Sequence, residues 1–287
     1  MSDLTLTVPR GSVYGFIGPN GSGKTTTLRM TMNILFPDRG DIVVLGERTT
    51  ASARDRVSYL PEERGLYKKM TVRSLLRYYG RLKSVPRAKL DDRIDHWLER
   101  LHIDKWADEN VEVLSKGMAQ KVQFIASIVS EPELLILDEP FTGLDPVNAE
   151  MLKDAILSLR ERGTTIVFST HDMGAAERLC DRLFMIFNGK KVLDGTLAEI
   201  QERYGADTIR VRTSGGRAVL DGMPGVDRIV DYGNVQELRV SGDAQAFLQA
   251  LAAKTVVQQF EITQPSLHDI FVRIAQPVAG ATEAAQS

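Results

Sequence analysis

Residues 18–26 read Gly-Pro-Asn-Gly-Ser-Gly-Lys-Thr-Thr. They fit the phosphate-loop pattern G-x-x-x-x-G-K-[ST], with Gly18, Gly23, Lys24 and Thr25 at the fixed positions and Asn20, Gly21, Ser22 and Thr26 filling or following the loop. The pattern carries weight only between a strand and a helix. Here residues 12–17 read as a buried strand, and the run from Thr26 to Met30 reads as a helix start. Glycines let backbone N–H groups turn inward and approach an anion closely, and the helix N-terminus adds unpaired N–H groups and a favourable dipole. Lys24 supplies a full charge for the β- and γ-phosphates, and the Thr25 hydroxyl is a ligand for Mg²⁺. The loop indicates a nucleoside triphosphate, not the use made of its energy.

Around this loop the chain alternates strand-like and helix-like segments, the mark of an α/β domain. Strands are expected at residues 4–8, 13–17, 41–45, 56–60, 134–137, 165–169 and 183–187, with Asn188-Gly189 turning a hairpin into 191–193. Helical spacing (Val72, Leu75, Leu76, Tyr79) broken at Pro86 predicts a helical insertion over about residues 66–130. After Tyr204 the pattern becomes that of a small α+β unit. It has strands at 208–213, 226–232, 236–240 and 255–262, and helices at 243–253 and 266–274. The expected domains are 1–204 and 205–275, with 276–287 a frayed tail.

A second concentration of chemistry lies at residues 134–140. Four apolar residues form a buried parallel strand, with Asp138 and Glu139 at its C-terminal end, where ligands of open parallel sheets bind. Asp138 is placed to hold Mg²⁺ and Glu139 to polarise an attacking water. Ser115, with the N–H groups near Gly117, makes a second anion-binding helix start. A second phosphate site is odd for one nucleotide unless two chains share it. His171, after Ser169 and Thr170, ends another strand and is read as a phosphate contact rather than a core histidine.

The order of these features (phosphate loop, Leu114-Ser115-Lys116-Gly117-Met118, acidic strand end, Gly143-Leu144-Asp145-Pro146, Ser169-Thr170-His171) resembles the ATP-binding cassette (ABC) ATPases over about residues 3–200. The resemblance implies a P-loop NTPase core of ABC type with a helical subdomain. It also implies a head-to-tail dimer in which each ATP lies between the phosphate loop of one copy and Ser115, Gly117, Met118 and Asp145 of the other. Glu139 would be the base and His171 would contact the γ-phosphate. The metal would take Thr25, Asp138 and Glu62, the last standing where the family usually has glutamine. Met118 stands where the family motif has another glutamine, whose amide hydrogen bonds a thioether cannot replace. Both departures, and the small C-terminal unit ending in residues 265–271, are similar to ATPases of exporters with short membrane partners, including bacterial sodium and drug-efflux systems. The 17 residues before Gly18 hold neither the first strand nor the adenine-stacking aromatic usual in the family, so weak discrimination between ATP and GTP is expected.

Composition narrows the partners. A formal net charge of −2 gives no electrostatic case for nucleic acid, and the single cysteine, Cys180, suits a reducing cytosol. No apolar run approaches the roughly 18–20 residues of a membrane span. The expectation is a cytoplasmic ATPase, peripheral on the inner face of the cell membrane, that dimerises with itself or a paralogue and serves a separate transmembrane permease. The alternative is an ABC-type ATPase acting on ribosome or DNA. It is disfavoured by the near-neutral charge, the single cassette and the lack of sustained heptads.

Overall fold

A computed structural model describes residues 3–48, 53, 55–63, 65–204 and 208–275; the expected tail, 276–287, lies outside them. The chain divides into two compact units, Met1–Thr196 and Leu197–Ser287.

In the first unit β1 (Val13–Ile17) runs into the phosphate loop and α1 (Lys24–Thr31). Then come β2 (Val57–Leu60), α2 (Val72–Leu82), α3 (Arg87–Arg100) and α4 (Lys116–Ile128). Next are β3 (Leu134–Asp138), α5 (Pro146–Glu161), β4 (Thr165–Thr170) and α6 (Met173–Leu179). The unit closes with β5 (Arg182–Phe187) and β6 (Lys190–Gly195). The six strands form one sheet in the order β2-β3-β4-β1-β5-β6. All neighbours are parallel except β5 and β6, which form a hairpin through Asn188 and Gly189, both at positive φ. β1 and β3 are buried along their whole length, as parallel strands covered on both faces must be.

Two clusters cover those faces. On one, Leu135, Leu137, Ile166 and Phe168 of the sheet pack with Leu75, Leu76, Ile94, Trp97 and Phe124 of the helical insertion. On the other, Tyr14, Phe16, Ile136, Phe184 and Ile186 pack with Leu28 of α1. Local signals start the helices. Thr71 caps α2 through Ser74 N (3.3 Å), Pro86 precedes α3, and Asp145 caps α5 with Pro146 at its first position.

Two expected strands did not form. Residues 4–8 pair with no strand; Leu4, Leu6 and Val8 are half-buried against the second cluster, so their alternation records one-sided burial rather than a ladder. Residues 41–45 hold only an isolated bridge, Val44 to Glu47.

The second unit begins with α7 (Leu197–Tyr204), ahead of the change in pattern read after Tyr204. It continues with β7 (Thr208–Thr213), α8 (Arg217–Leu220), β8 (Val226–Asp231), β9 (Gln236–Val240), α9 (Ala244–Ala252), β10 (Val257–Thr263) and α10 (Leu267–Ala275). Its sheet is antiparallel, in the order β10-β7-β9-β8. Ile209, Val211, Leu238 and Val240 face a core closed by Leu220, Phe247 and Leu251. Asp243 caps α9 by accepting from Gln245 N and Ala246 N, as its sequence predicts. α7 belongs here through Gln201 Nε2, which donates to Pro265 O (3.0 Å), and Tyr204 O, which accepts from Arg273.

Packing around β1 is tight enough to test. A Cβ on Gly15 would lie 2.4 Å from Cys180 Sγ and 3.1 Å from Leu183. Gly15→Ala is expected to cost about 1–3 kcal/mol by overpacking, and the cost should fall in a Cys180→Ala background. Urea denaturation of the four-variant cycle measures this; an equal cost in both backgrounds would remove Cys180 as the source of strain.

Candidate functional site

The C-terminal ends of β1, β3 and β4 meet at one place because β4 lies between the other two in the sheet. The loop after β1 approaches the backbone closely: a Cβ on Gly18 would lie 2.2 Å from Ile186 O. Gly23, at φ 109°, sits at the N-cap of α1, where no side chain caps the helix and no acid occupies the first turn. The first N–H groups of α1 are therefore left for an anion. Ser22 is buried, and its hydroxyl has no hydrogen-bond partner. Asn20, Gly21 and Thr26 are exposed on the rim of the loop.

Asp138 is fully buried. One carboxylate oxygen accepts from Thr25 Oγ1 (3.2 Å) and from Ser169 Oγ, and the other accepts from Tyr59 OH (3.2 Å). Burial pushes the Tyr59 phenol up to about 12, with the Asp138 carboxylate adding to the rise and the Arg29 guanidinium opposing it. The phenol is thus a hydrogen-bond donor at any working pH. A buried carboxylate beside a threonine hydroxyl is a hard oxygen pair of the kind that holds Mg²⁺, a cation that keeps several waters and takes one or two protein carboxylates.

Glu139 follows at φ 50°, a left-handed conformation uncommon outside glycine. Its N–H is held by Ser169, to O at 3.2 Å and to Oγ at 3.1 Å. Its carboxylate is 3.0 Å from His171 Nδ1 and 3.7 Å from Lys24 Nζ. Lys24 also donates to Gly18 O (2.7 Å) and Pro19 O (3.2 Å). One triad of carboxylate, ammonium and imidazole thus stands beside the anion loop, with Lys24 and Glu139 buried and His171 exposed. A carboxylate so placed can accept a proton from a water beside a bound phosphate.

Glu62 is exposed on the loop after β2 and makes no hydrogen bond to Thr25 or Asp138. That loop is tied to α4 by Gln123, whose Nε2 donates to Pro61 O (3.3 Å) and Glu63 O (3.2 Å). Ser115 and Asp145 sit at two neighbouring helix starts. Ser115 Oγ accepts from Met118 N (3.3 Å), and Asp145 accepts from Asn148 N (3.0 Å), a bond that holds its carboxyl below the usual range. A Cβ on Gly117 would touch Leu144 at 3.7 Å and Asn148 at 3.9 Å. The Met118 side chain packs against the helical core, and its N–H is already taken by Ser115. Among the described residues no hydrogen bond or ion pair joins Ser115, Gly117, Met118 or Asp145 to the phosphate loop or to the acids of β3.

Two ligands of Asp138 escaped the sequence reading, Tyr59 and the Ser169 hydroxyl. Their contacts depend on register, with Asp138 opposite Ser169 and Tyr59 opposite Ile136. A hydroxyl residue at the end of each flanking strand was the available signal.

A family model described as ABC transporter matches residues 1–142. A second, described as ATP-binding protein DrrA1-3-like, C-terminal domain, matches residues 195–275. The ABC transporter ATP-binding protein YhaQ of Bacillus subtilis is 40% identical over 271 residues, covering 94% of this chain and 91% of that one. The chain belongs to the ABC transporter ATP-binding proteins. The Nod factor export ATP-binding protein I of Sinorhizobium fredii is 32% identical over 96% of this chain and 81% of its own. A solved ATP-binding subunit of an ABC transporter superposes with a TM-score of 0.67 at 33% identity, over 71% of this chain and 86% of that one. CbiO1 of Clostridium perfringens, part of the ABC transporter complex CbiONQ, gives 0.62 at 26% over 70% and 83%. ABC ATP-binding proteins are in general ATPases that bind ATP, typically with Mg²⁺, and work with membrane permease partners.

The buried, unpaired hydroxyl of Ser22 separates binding from folding in this ABC subunit. Ser22→Ala should leave thermal stability equal or slightly higher, since a desolvated hydroxyl without a partner is a net cost. ATP affinity should fall roughly threefold to tenfold if that hydroxyl bonds phosphate. Thermal denaturation without nucleotide and calorimetric titration with ATP measure the two; unchanged affinity would take Ser22 out of the phosphate cradle.

Proposed function

We propose that the chain is the ATP-hydrolysing subunit of a bacterial ABC exporter. It dimerises on ATP with a second copy or a paralogue and drives a separate membrane-spanning partner from the inner face of the membrane. The observation that carries the hydrolytic reading is the convergence of Lys24, Glu139 and His171 beside a buried Asp138 and an uncapped helix start. The exporter reading is supported by the likeness to an export ATP-binding protein over 96% of this chain, accessory unit included. A separate membrane partner is supported by the likeness to CbiO1, which is part of the ABC transporter complex CbiONQ.

In the proposed mechanism the loop N–H groups and Lys24 hold the β- and γ-phosphates, and Thr25 and Asp138 hold Mg²⁺. When bound, the metal neutralises charge on the phosphate oxygens. Glu62, exposed on the loop after β2, is the third proposed ligand, with no hydrogen bond of its own to either residue. Glu139 orients a water and accepts its proton while the water oxygen bonds to the γ-phosphorus. The bond from that phosphorus to the bridging oxygen breaks and ADP leaves. His171, fixed by Glu139, contacts the γ-phosphate. Ser115, Gly117, Met118 and Asp145 complete the site of the partner copy. Their exposed helix starts present N–H groups to an anion and have no link to their own phosphate loop.

Glu139→Gln should keep ATP binding, lower hydrolysis by roughly 10²–10⁴-fold, and trap a dimer that elutes early in size-exclusion chromatography with ATP and Mg²⁺. Hydrolysis at the parental rate, or a monomer, would overturn the assignment. Lys24→Ala should weaken ATP binding roughly tenfold to a hundredfold in a calorimetric titration, from the loss of a charge-assisted contact. Undiminished affinity would show that the phosphates lie elsewhere.

A further inference from the structure

An aspartate carboxylate turns easily about its last torsion, which is broad and roughly two-fold. In Asp138, Thr25 Oγ1 (3.2 Å) and Ser169 Oγ both donate to Oδ1. Two bonds to one oxygen leave the other free to swing. Tyr59 OH holds that other oxygen, Oδ2, at 3.2 Å. The parallel register sets Tyr59 of β2 opposite Ile136, two residues before Asp138 on β3, and the long side chain spans the offset. The plane of the carboxylate is therefore fixed only when all three hydroxyls act. An ionised carboxylate offers about four lone-pair sites. Three are taken, and the one that remains is on Oδ2.

Tyr59 is itself held in place. Its side chain packs against the second cluster, and the Arg29 guanidinium engages the phenol from α1. Thr25 and Arg29 stand four residues apart on that helix and share its face. One face of α1 thus serves Asp138 twice, directly through Thr25 and by way of Tyr59 through Arg29. Beyond Tyr59 the chain enters the loop of Glu62. Gln123 Nε2 grips that loop on both sides of Glu62, at Pro61 O (3.3 Å) and Glu63 O (3.2 Å). The same phenol therefore ties the strand leading into the Glu62 loop to the Asp138 carboxylate.

We propose that Tyr59 is a positioning residue for Mg²⁺, acting through Asp138: its hydroxyl fixes the carboxylate plane and reserves one lone pair of Oδ2 for the hydrated cation. The proposal rests on the reading of Thr25 and Asp138 as the metal site of bound ATP. Partners that orient a metal-binding carboxylate set metal affinity without touching the metal, and the hydrolytic mechanism above gives the phenol no other part.

The test is calorimetric titration of the full chain with a non-hydrolysable ATP analogue, once with Mg²⁺ and once with excess EDTA, for the parent and for Tyr59→Phe. Affinity without metal should match the parent, because the loop N–H groups and Lys24 are untouched. The gain in affinity that Mg²⁺ brings should shrink about tenfold. An unchanged gain overturns the positioning role and leaves the ATP reading standing. Equal weakening with and without metal means a structural role only, and also overturns it. A parent chain that binds no nucleotide, or gains nothing from Mg²⁺, removes the underlying reading and the proposal with it. If Tyr59→Phe does not fold, the parent is measured by NMR with its tyrosines isotope-labelled at Cζ. Mn²⁺ in place of Mg²⁺ on the nucleotide complex should then broaden one of the seven tyrosine signals selectively. No selective broadening overturns the proposal.

Discussion

A carboxylate with no solvent exposure sits at the end of β3, and the arrangement of the first unit follows from the need to satisfy it. Burying a charge is costly unless it is paired or well hydrogen-bonded. Asp138 takes hydroxyls from α1, β2 and β4, three elements far apart in sequence. Those bonds require β2 and β4 to flank β3, and they require the phosphate loop to end where Thr25 faces the strand end. The same geometry explains the backbone of Glu139. Successive strand residues point to opposite faces, so a second carboxylate could not share the site if the strand continued. The left-handed turn at Glu139, held by two bonds to Ser169, takes the chain off the strand and brings that carboxylate to Lys24 and His171. Strain at such a residue persists only where its surroundings over-determine it, and Ser169 bonds both acids at once.

Sequence revealed what is encoded locally. The strand, glycine loop and helix around Lys24, the Asn188-Gly189 hairpin and the Asp243-capped helix each depend on residues close in the chain, and each formed where expected. Pairing was less legible. Residues 4–8 alternate as a strand should, yet alternation reports one buried side, which Leu4, Leu6 and Val8 achieve by lying on the second cluster without hydrogen-bonding to a neighbour. The roles of Tyr59 and Ser169 required knowing which strands lie beside β3, a fact set by topology. α5 was legible but unread: Asp145-Pro146 is a strong start signal, and Leu152, Ala155, Ile156 and Leu159 follow at helical spacing.

At Ser115 and Asp145 the helix starts fold without help from a second molecule. Each side chain closes its own helix start from within, Ser115 on Met118 N and Asp145 on Asn148 N. Folding of α4 and α5 is therefore complete in one chain. The remaining first-turn N–H groups, and the bare backbone at Gly117, are what an anion brought by another molecule would meet. Placing a methionine at 118 fits this division, because its side chain goes to the core and only its backbone serves the helix start.

The phosphate loop draws its positive character from backbone N–H groups, an uncapped helix start and one buried ammonium rather than from a cluster of exposed side chains. Interactions between exposed charges are screened over about 8–10 Å at physiological salt, and those between buried charges much less. An anion held at Lys24 should therefore change little in affinity as salt rises, which is what holding a nucleotide through a chemical cycle would require.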